Sequence, residues 1–231
     1  MGLIYNGHDF GDRLRVNPTR AVLPQVEVST EEVSGRHGAV VTGVRLQPLA
    51  ISVDVLLRGG AGENLMDVVR EELAPYLYYE EPKPLVLPDE PDKYYLAVFR
   101  GKSELDRPLF GAKTSFEFYC ADPIAYGERH SETVPATVTV GGTAPSWPTV
   151  EAVPPEGLTV WRVTLNDDQF VEVLASFDGE ARLVIDMEHE AVTYGGQTAE
   201  VSIYSDFFQI EGEAVISATS EATVEWDERW R

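Results

Sequence analysis

Four histidines, one cysteine and one acidic run are the side chains in this sequence that most invite chemistry. His8, His37, His130 and His189 stand far apart. No H-x-H, H-E-x-x-H or C-x-x-C spacing groups them for a transition metal, which needs nitrogen or thiolate ligands at set intervals. Gly101-Lys102-Ser103 has the ending of a phosphate-binding loop, but the glycine required five places earlier is Leu96. No G-x-S-x-G elbow presents a serine nucleophile. Asp186-Met187-Glu188-His189-Glu190 gathers carboxylates of the kind calcium takes, a hard cation needing six or more oxygens. It lacks the glycine and ligand spacing of a helical calcium loop, and a solvated hairpin tip explains the same residues. A glycosidase would use a pair of acids at a set separation, but among 39 acidic residues no pair stands out. The sequence therefore assigns no catalytic residue, no metal ligand and no cofactor.

Aromatic residues offer a different chemistry. Trp147, Trp161, Trp226 and Trp230 all lie in the C-terminal half. Exposed tryptophan on a β-sandwich stacks on sugar rings, so a carbohydrate-binding module is the alternative function. Trp161, inside the alternating Thr159-Val160-Trp161-Arg162-Val163, also fits a core position.

The elements that would position these side chains are mostly strands. Ala50–Leu57 alternates apolar with polar and runs into the glycine-rich stretch 58–62, as a half-buried strand entering a turn does. Tyr94–Phe99 is a short apolar run, and Thr114–Cys120 alternates with Phe116 and Phe118 on one face. Val138–Val140 meets a glycine pair, Leu183–Met187 and Ala191–Tyr194 flank the acidic turn as a hairpin would, and Ala222–Trp226 is the last strand. One segment departs from this. Leu65, Val68, Val69 and Leu73 follow helical spacing, Asn64 is placed to cap their first turn, and Pro75 predicts a stop at Ala74. Glu80–Pro84, with two prolines, is expected to form a stiff projecting arm.

Length and charge set the frame. At 231 residues the chain makes one large domain or two small ones and hides roughly 70% of its unfolded surface. It is 43% apolar and carries 39 acidic against 18 basic side chains, a net charge of −21. That composition is globular. Basic residues are too few and scattered to grip phosphates or an anionic bilayer, so nucleic acid and membrane are excluded as bound partners. Cys120 is alone and makes no internal disulfide. No apolar run approaches the ~18 residues of a membrane span, and the first residues lack the pattern of a secretory signal. Folding in a reducing cytoplasm is expected. Residues 1–133 hold 21 acidic and 14 basic side chains, whereas residues 134–231 hold 18 and four, with no lysine. The Pro- and Gly-containing stretch Asp122–Ser131 is expected to be the linker between a 1–133 domain and a 134–231 domain.

Several segments, in order, resemble the distal tail proteins of long non-contractile-tailed bacteriophages and related prophages, especially those of Gram-positive hosts. They are Asp9-Phe10-Gly11, Gly35-Arg36-His37-Gly38, Glu72–Leu77, and the run Leu85–Ala97 with its D-E-P-x-K-Y-Y core. Phe118–Pro123 is similar to the F-x-C-x-D-P that ends the family's first domain. Gly142–Pro148 resembles the G-T-A-P-x-x-P that opens the second. Leu183–Asp186 with Val192–Gly196, Asp206–Phe208, Glu211–Glu213 and Glu225–Trp230 continue the likeness to the end. The resemblance implies a mainly β protein of two sandwich-like domains, the first with a single helix and the second galectin-like. It implies a structural virion protein of the tail tip, not an enzyme. In this family the N-terminal domain assembles as a homohexameric ring, with the second domain outside it. The ring joins the tail tube protein to the tail-tip or tail-associated lysin protein and often carries fibres or receptor-binding proteins. An acidic ring would let DNA pass without binding it.

Overall fold

The computed structural model describes residues 2–11, 14–21, 23–57, 64–100 and 112–231. The turn expected over 58–62 and the stretch Gly101-Lys102-Ser103 lie outside the described residues. The protein is mainly β with one helix. It divides into two compact units, residues 1–125 with Arg231, and Tyr126–Trp230.

In the first unit, β1 (Ile4–Tyr5), β2 (His8–Asp9) and β3 (Leu14–Thr19) lead to a hairpin of β4 (Val26–Glu32) and β5 (Ala39–Leu46). Then come β6 (Leu49–Leu57), the helix, β7 (Lys83–Leu87), β8 (Glu90–Arg100) and β9 (Ala112–Cys120). Seven strands form one path, β2-β1-β7-β8-β9-β6-β3, and β4 and β5 pair only with each other. Alternation decides the faces. Along β6, Leu49, Ile51, Val53, Val55 and Leu57 are buried and the residues between them face outward. Phe116 and Phe118 of β9 are buried on the same side as expected. The path folds back on itself, so the Tyr5 ring of β1 meets Phe118 of β9 edge-on at 5.2 Å.

The helix, α1, has three segments, Leu65–Val68, Val69–Leu73 and Ala74–Leu77, the middle one π-helical. Asn64 caps it, its Oδ1 accepting the Met66 N–H at 3.2 Å. The expected stop at Ala74 does not occur. Pro75 cannot donate to the helical ladder and crowds the preceding turn. The wide turn before it, in which the Ala74 N–H reaches back to the Val69 carbonyl, starts a new α-segment with proline in its first turn, where proline is tolerated. The extra residue also moves the buried row, which runs Val68, Leu73, Leu77. The expected arm at Glu80–Pro84 is likewise corrected. Lys83 and Pro84 begin β7, with Pro84 opposite Leu96 of β8.

The second unit begins where a linker was expected. β10 (Ala125–Val134) is a full strand, and the division falls at residue 125, not 133. Gly127 here serves close packing: a Cβ on it would sit 3.0 Å from the Trp230 Nε1 and 3.1 Å from the Glu228 Cβ. The strands that follow are β11 (Ala136–Val140), β12 (Thr149–Ala152), β13 (Val160–Leu165), β14 (Gln169–Leu174) and β15 (Leu183–Asp186). After them come β16 (Ala191–Tyr194), β17 (Gln197–Thr198), β18 (Glu200–Val201), β19 (Gly212–Ala218) and β20 (Ala222–Trp230). They make two sheets, β17-β16-β15-β12-β20-β10 and β11-β19-β13-β14-β18. Both contribute to one core around Trp161, Phe208, Leu183, Ile185 and Met187, which makes this unit a β-sandwich.

Residues 142–148 bind this sandwich together. The Arg229 carbonyl accepts the N–H groups of Thr143 (2.9 Å) and Ala144 (3.0 Å). Ser146, the one polar side chain buried outright among the described residues, donates its hydroxyl to the Asp227 carbonyl at 2.6 Å and exchanges two backbone bonds with Ile210. Gly142 makes the approach possible. Its φ is +97°, and a Cβ would overlap the Arg229 carbonyl oxygen. We expect Gly142→Ala to cost about 2–3 kcal/mol, clash added to strain. Gly157→Ala, also at positive φ but with open space around it, is expected to cost about 1 kcal/mol. Thermal melts of both variants check the difference, and equal midpoints would remove the role given to Gly142.

Candidate functional site

Three of the four histidines have an aromatic or carboxylate neighbour. His8 stacks on Tyr76 at 3.7 Å and meets Phe10 edge-on at 4.6 Å, walling a cleft of about 300 Å3 shared with Glu71, Glu72 and Leu73. His37 sits exposed in the β4–β5 turn. His130 stacks on Trp226 at 5.5 Å with its Nε2 3.2 Å from a Glu228 carboxylate oxygen. His189 lies 2.8 Å from Asp186. Among the described residues, no group of three or more His, Cys, Asp or Glu is placed to hold a metal ion.

The acidic run is the tip of the β15–β16 hairpin, with a fixed shape. Asp186 Oδ1 accepts the N–H groups of Glu188 (3.0 Å) and His189 (3.1 Å), and Oδ2 faces the His189 ring. Both carboxylate oxygens thus serve the turn. Burial works to raise the Asp186 carboxyl, but the His189 and Glu188 amides and the His189 ring hold it below the usual range. The Asp186 hydrogen bond and charge in turn raise His189. Asp178 is held further down, to about 2, by the Tyr194 hydroxyl at 2.5 Å and the Ala181 and Glu180 amides.

None of the four tryptophans is exposed. Trp161 and Trp226 are buried, and Trp147 and Trp230 are half-buried. Trp161 Nε1 donates to Ser220 Oγ at 2.9 Å. The motive for sugar stacking on tryptophan is therefore absent, because Trp161 and Trp226 fill the sandwich core and Trp147 packs against it. Cys120 is also fully buried, and burial pushes its thiol up to about 12.

The motif residues hold turns and strand contacts. Asp9 Oδ1 accepts the Gly11 N–H at 2.8 Å, Phe10 is buried, and a Cβ on Gly2 would overlap the Gly11 backbone. Asp89 and Glu90 of the D-E-P-x-K-Y-Y run clamp Arg20 beyond β3, at 2.7 Å for Asp89, while Tyr95 donates to Glu90 at 3.1 Å. Burial, then the Glu90 charge, pushes the Tyr95 phenol up to about 12. Asp122 Oδ1 accepts the Ile124 N–H at 3.0 Å just ahead of β10.

The remaining feature is a surface. Register places Val26, Val28, Val44 and Leu46 on one face of the β4–β5 ribbon, and past a bulge at Ser29/Thr30 Val41 stands opposite Thr30. The opposite face carries Glu27, bound to Arg45 at 2.6 Å, and Glu31. Val26, Val28, Val41 and Val44 are each half or more exposed. The ribbon ends in the turn holding Gly35 and Gly38, both at φ +83°. The stretch Gly35-Arg36-His37-Gly38 thus marks the tip of an amphipathic arm.

Comparison with known proteins gives these positions a class. Residues 9–120 match the phage tail protein RIFT-related domain, and residues 141–230 match the C-terminal domain of siphovirus-type tail components. The two matches account for most of the chain, and they define a siphovirus-type tail component. The "Distal tail protein" of Bacillus phage SPP1 is 27% identical over 240 residues, spanning 99% of this chain and 95% of that one. The crystal structure of the SPP1 distal tail protein, described there as a paradigm of the hub adsorption apparatus of phages infecting Gram-positive hosts, superposes with a TM-score of 0.84. The superposition has 24% identity and covers 100% of this chain and 99% of that one. A chain of the phage P2 baseplate superposes with a TM-score of 0.48 at 11% identity, covering 94% of this chain and 90% of that one. Within its class, the chain belongs to the distal tail protein family.

The hairpin tip supplies a pH prediction. His189 titrates above 6.5 in the folded state, so its pairing with Asp186 stabilises fully below pH 6.5 and is lost as pH rises through the raised value. NMR titration is expected to give a midpoint above 6.5 that falls toward 6.5 in Asp186→Asn. An unchanged midpoint would show that Asp186 does not set it.

Proposed function

We propose that this chain is a structural, non-catalytic hub of the phage tail tip, closing as a homohexameric ring between the tail tube protein and the tail-tip or tail-associated lysin protein. Fibres or receptor-binding proteins dock on its outside. The observation that carries this reading is the β4–β5 ribbon. A two-stranded hairpin is marginal on its own, and this one turns a valine-lined face to solvent. Burying that face needs another protein surface. A second copy of the chain supplies it repeatedly, and cyclic closure satisfies every ribbon without leaving a free one or growing a fibre. The first unit is better suited to such contacts than the second, because its 19 acidic side chains face 14 basic ones, against 20 and four in residues 126–230. Six copies carry six times −21, or −126. An acidic ring lets DNA pass, since it repels phosphates. The N-terminal unit forms the ring in this reading, and the galectin-like sandwich lies outside it.

Native mass spectrometry of the purified chain is expected to show a species of six times 25.6 kDa, about 154 kDa, and negative-stain images to show rings. The double variant Val28→Asp/Val44→Asp places two charges opposite each other on the apolar face. It is expected to reduce the assembly to monomers without altering circular dichroism. Ser29→Asp, on the polar face, should keep the ring. A strict monomer at every wild-type concentration, or a ring that tolerates the double variant, overturns the proposal.

A further inference from the structure

The second unit carries an apolar protrusion that folding does not explain. Residues 202–206 run along the edge of β14 and cap it. Ser202 N–H donates to the Glu172 carbonyl at 2.9 Å, Ser205 Oγ accepts the Glu172 N–H at 2.9 Å, and Asp206 N–H donates to the Phe170 carbonyl at 2.8 Å. A further bond, Ser205 N–H to the Ser202 carbonyl at 3.0 Å, closes the turn. This protects a sheet edge that would otherwise offer free backbone groups. Serine and aspartate positions do all of it. The two residues between them are Ile203, 90% exposed, and Tyr204, 76% exposed, and Ile203 is the most exposed large apolar side chain described. Neither side chain contributes to the core. Both are instead held out on a turn pinned at each end.

Rigid presentation of a large aliphatic and an aromatic side chain is the form of a binding anchor. Tyrosine is enriched in hot spots, and a turn already ordered loses little entropy on docking. The charge around it selects the partner. Residues 126–230 contain 20 acidic and four basic side chains. All four basic groups are already engaged: Arg129 with Glu225 (2.6 Å), Arg162 with Glu172 (2.5 Å), Arg182 with Glu151, and Arg229 with Glu188 (3.8 Å). Glu200 and Asp206, flanking the protrusion, are exposed. The surface therefore presents apolar anchors in a negative field. A second copy of this unit would bring like charge and be repelled, and an anionic wall polymer would be repelled as well.

We propose that the Ile203–Tyr204 turn is the docking point for another protein of the same tail, one that offers an apolar pocket rimmed by lysine or arginine. This deepens the hub reading above and rests on it only in naming the partner a tail protein. Its test is binding of the purified chain to each recombinant tail protein encoded with it, measured by interferometry from low to high salt. The expected result is that one partner binds, that Ile203→Ser/Tyr204→Ser weakens it about tenfold or more, and that association slows as salt rises. Melting temperature and oligomer mass should match the wild type in the same variant. Binding of every partner unaffected by the double substitution overturns the proposal. So does a change in oligomer mass, which would assign the turn to self-contact, or a selective loss of binding to purified cell-wall glycan. The Val28→Asp/Val44→Asp variant keeps the two readings apart: a failed ring with an intact salt-sensitive partner contact removes the first and leaves this one.

Discussion

A β-sheet has two surfaces that water serves poorly, its apolar face and its unpaired edge, and this protein is organised around covering both. In the second unit the faces close against each other over one core, and the exposed side of β14 is capped by backbone and serine bonds from residues 202–206. In the first unit one path of seven strands folds over itself, with the helix adding Val68, Leu73 and Leu77 to the interior. The β4–β5 ribbon is the exception. It belongs to no larger sheet, and Val26, Val28, Val41 and Val44 stay half or more exposed. An uncovered apolar face points outward, to assembly, and the tail-component family to which the chain belongs gives that a setting.

How far the sequence foretells this depends on the scale at which each feature is decided. The alternation in β6 and β9 is local, so Ile51, Val53, Phe116 and Phe118 disclose their faces directly. Asn64 as a cap is equally local. Gly127 is not. In sequence it resembles a linker glycine, and only the approach of Trp230 and Glu228, about a hundred residues later, shows that it belongs to a strand. Pro75 misleads for a related reason: it forbids an ordinary helical turn but not a wide one. The ribbon was the hardest to anticipate. Val26-Glu27-Val28 has the pattern of any half-buried strand, and no local signal says whether the valine face has a cover. Of the side chains that invited chemistry, His8, His130, Trp161 and Trp226 proved to be packing residues and His189 a turn partner.

The acidity also looks different once the pairs are known. A net charge of −21 suggests only repulsion of phosphate. With the four arginines of the second unit all bound to its own carboxylates, the surplus becomes a property of its surface, where it tunes which proteins can approach. In the first unit Arg20 is spent inside the clamp formed by Asp89 and Glu90, so there too a basic side chain serves the fold.

Cys120 has a practical corollary. Its thiol is fully enclosed and pushed up to about 12, so at neutral pH almost no thiolate exists to react. The native thiol is therefore silent toward maleimides in the folded chain. A cysteine engineered at the ribbon tip or beside Tyr204 would be the only reactive thiol, ready to carry a fluorophore or a spin label without removal of the native one.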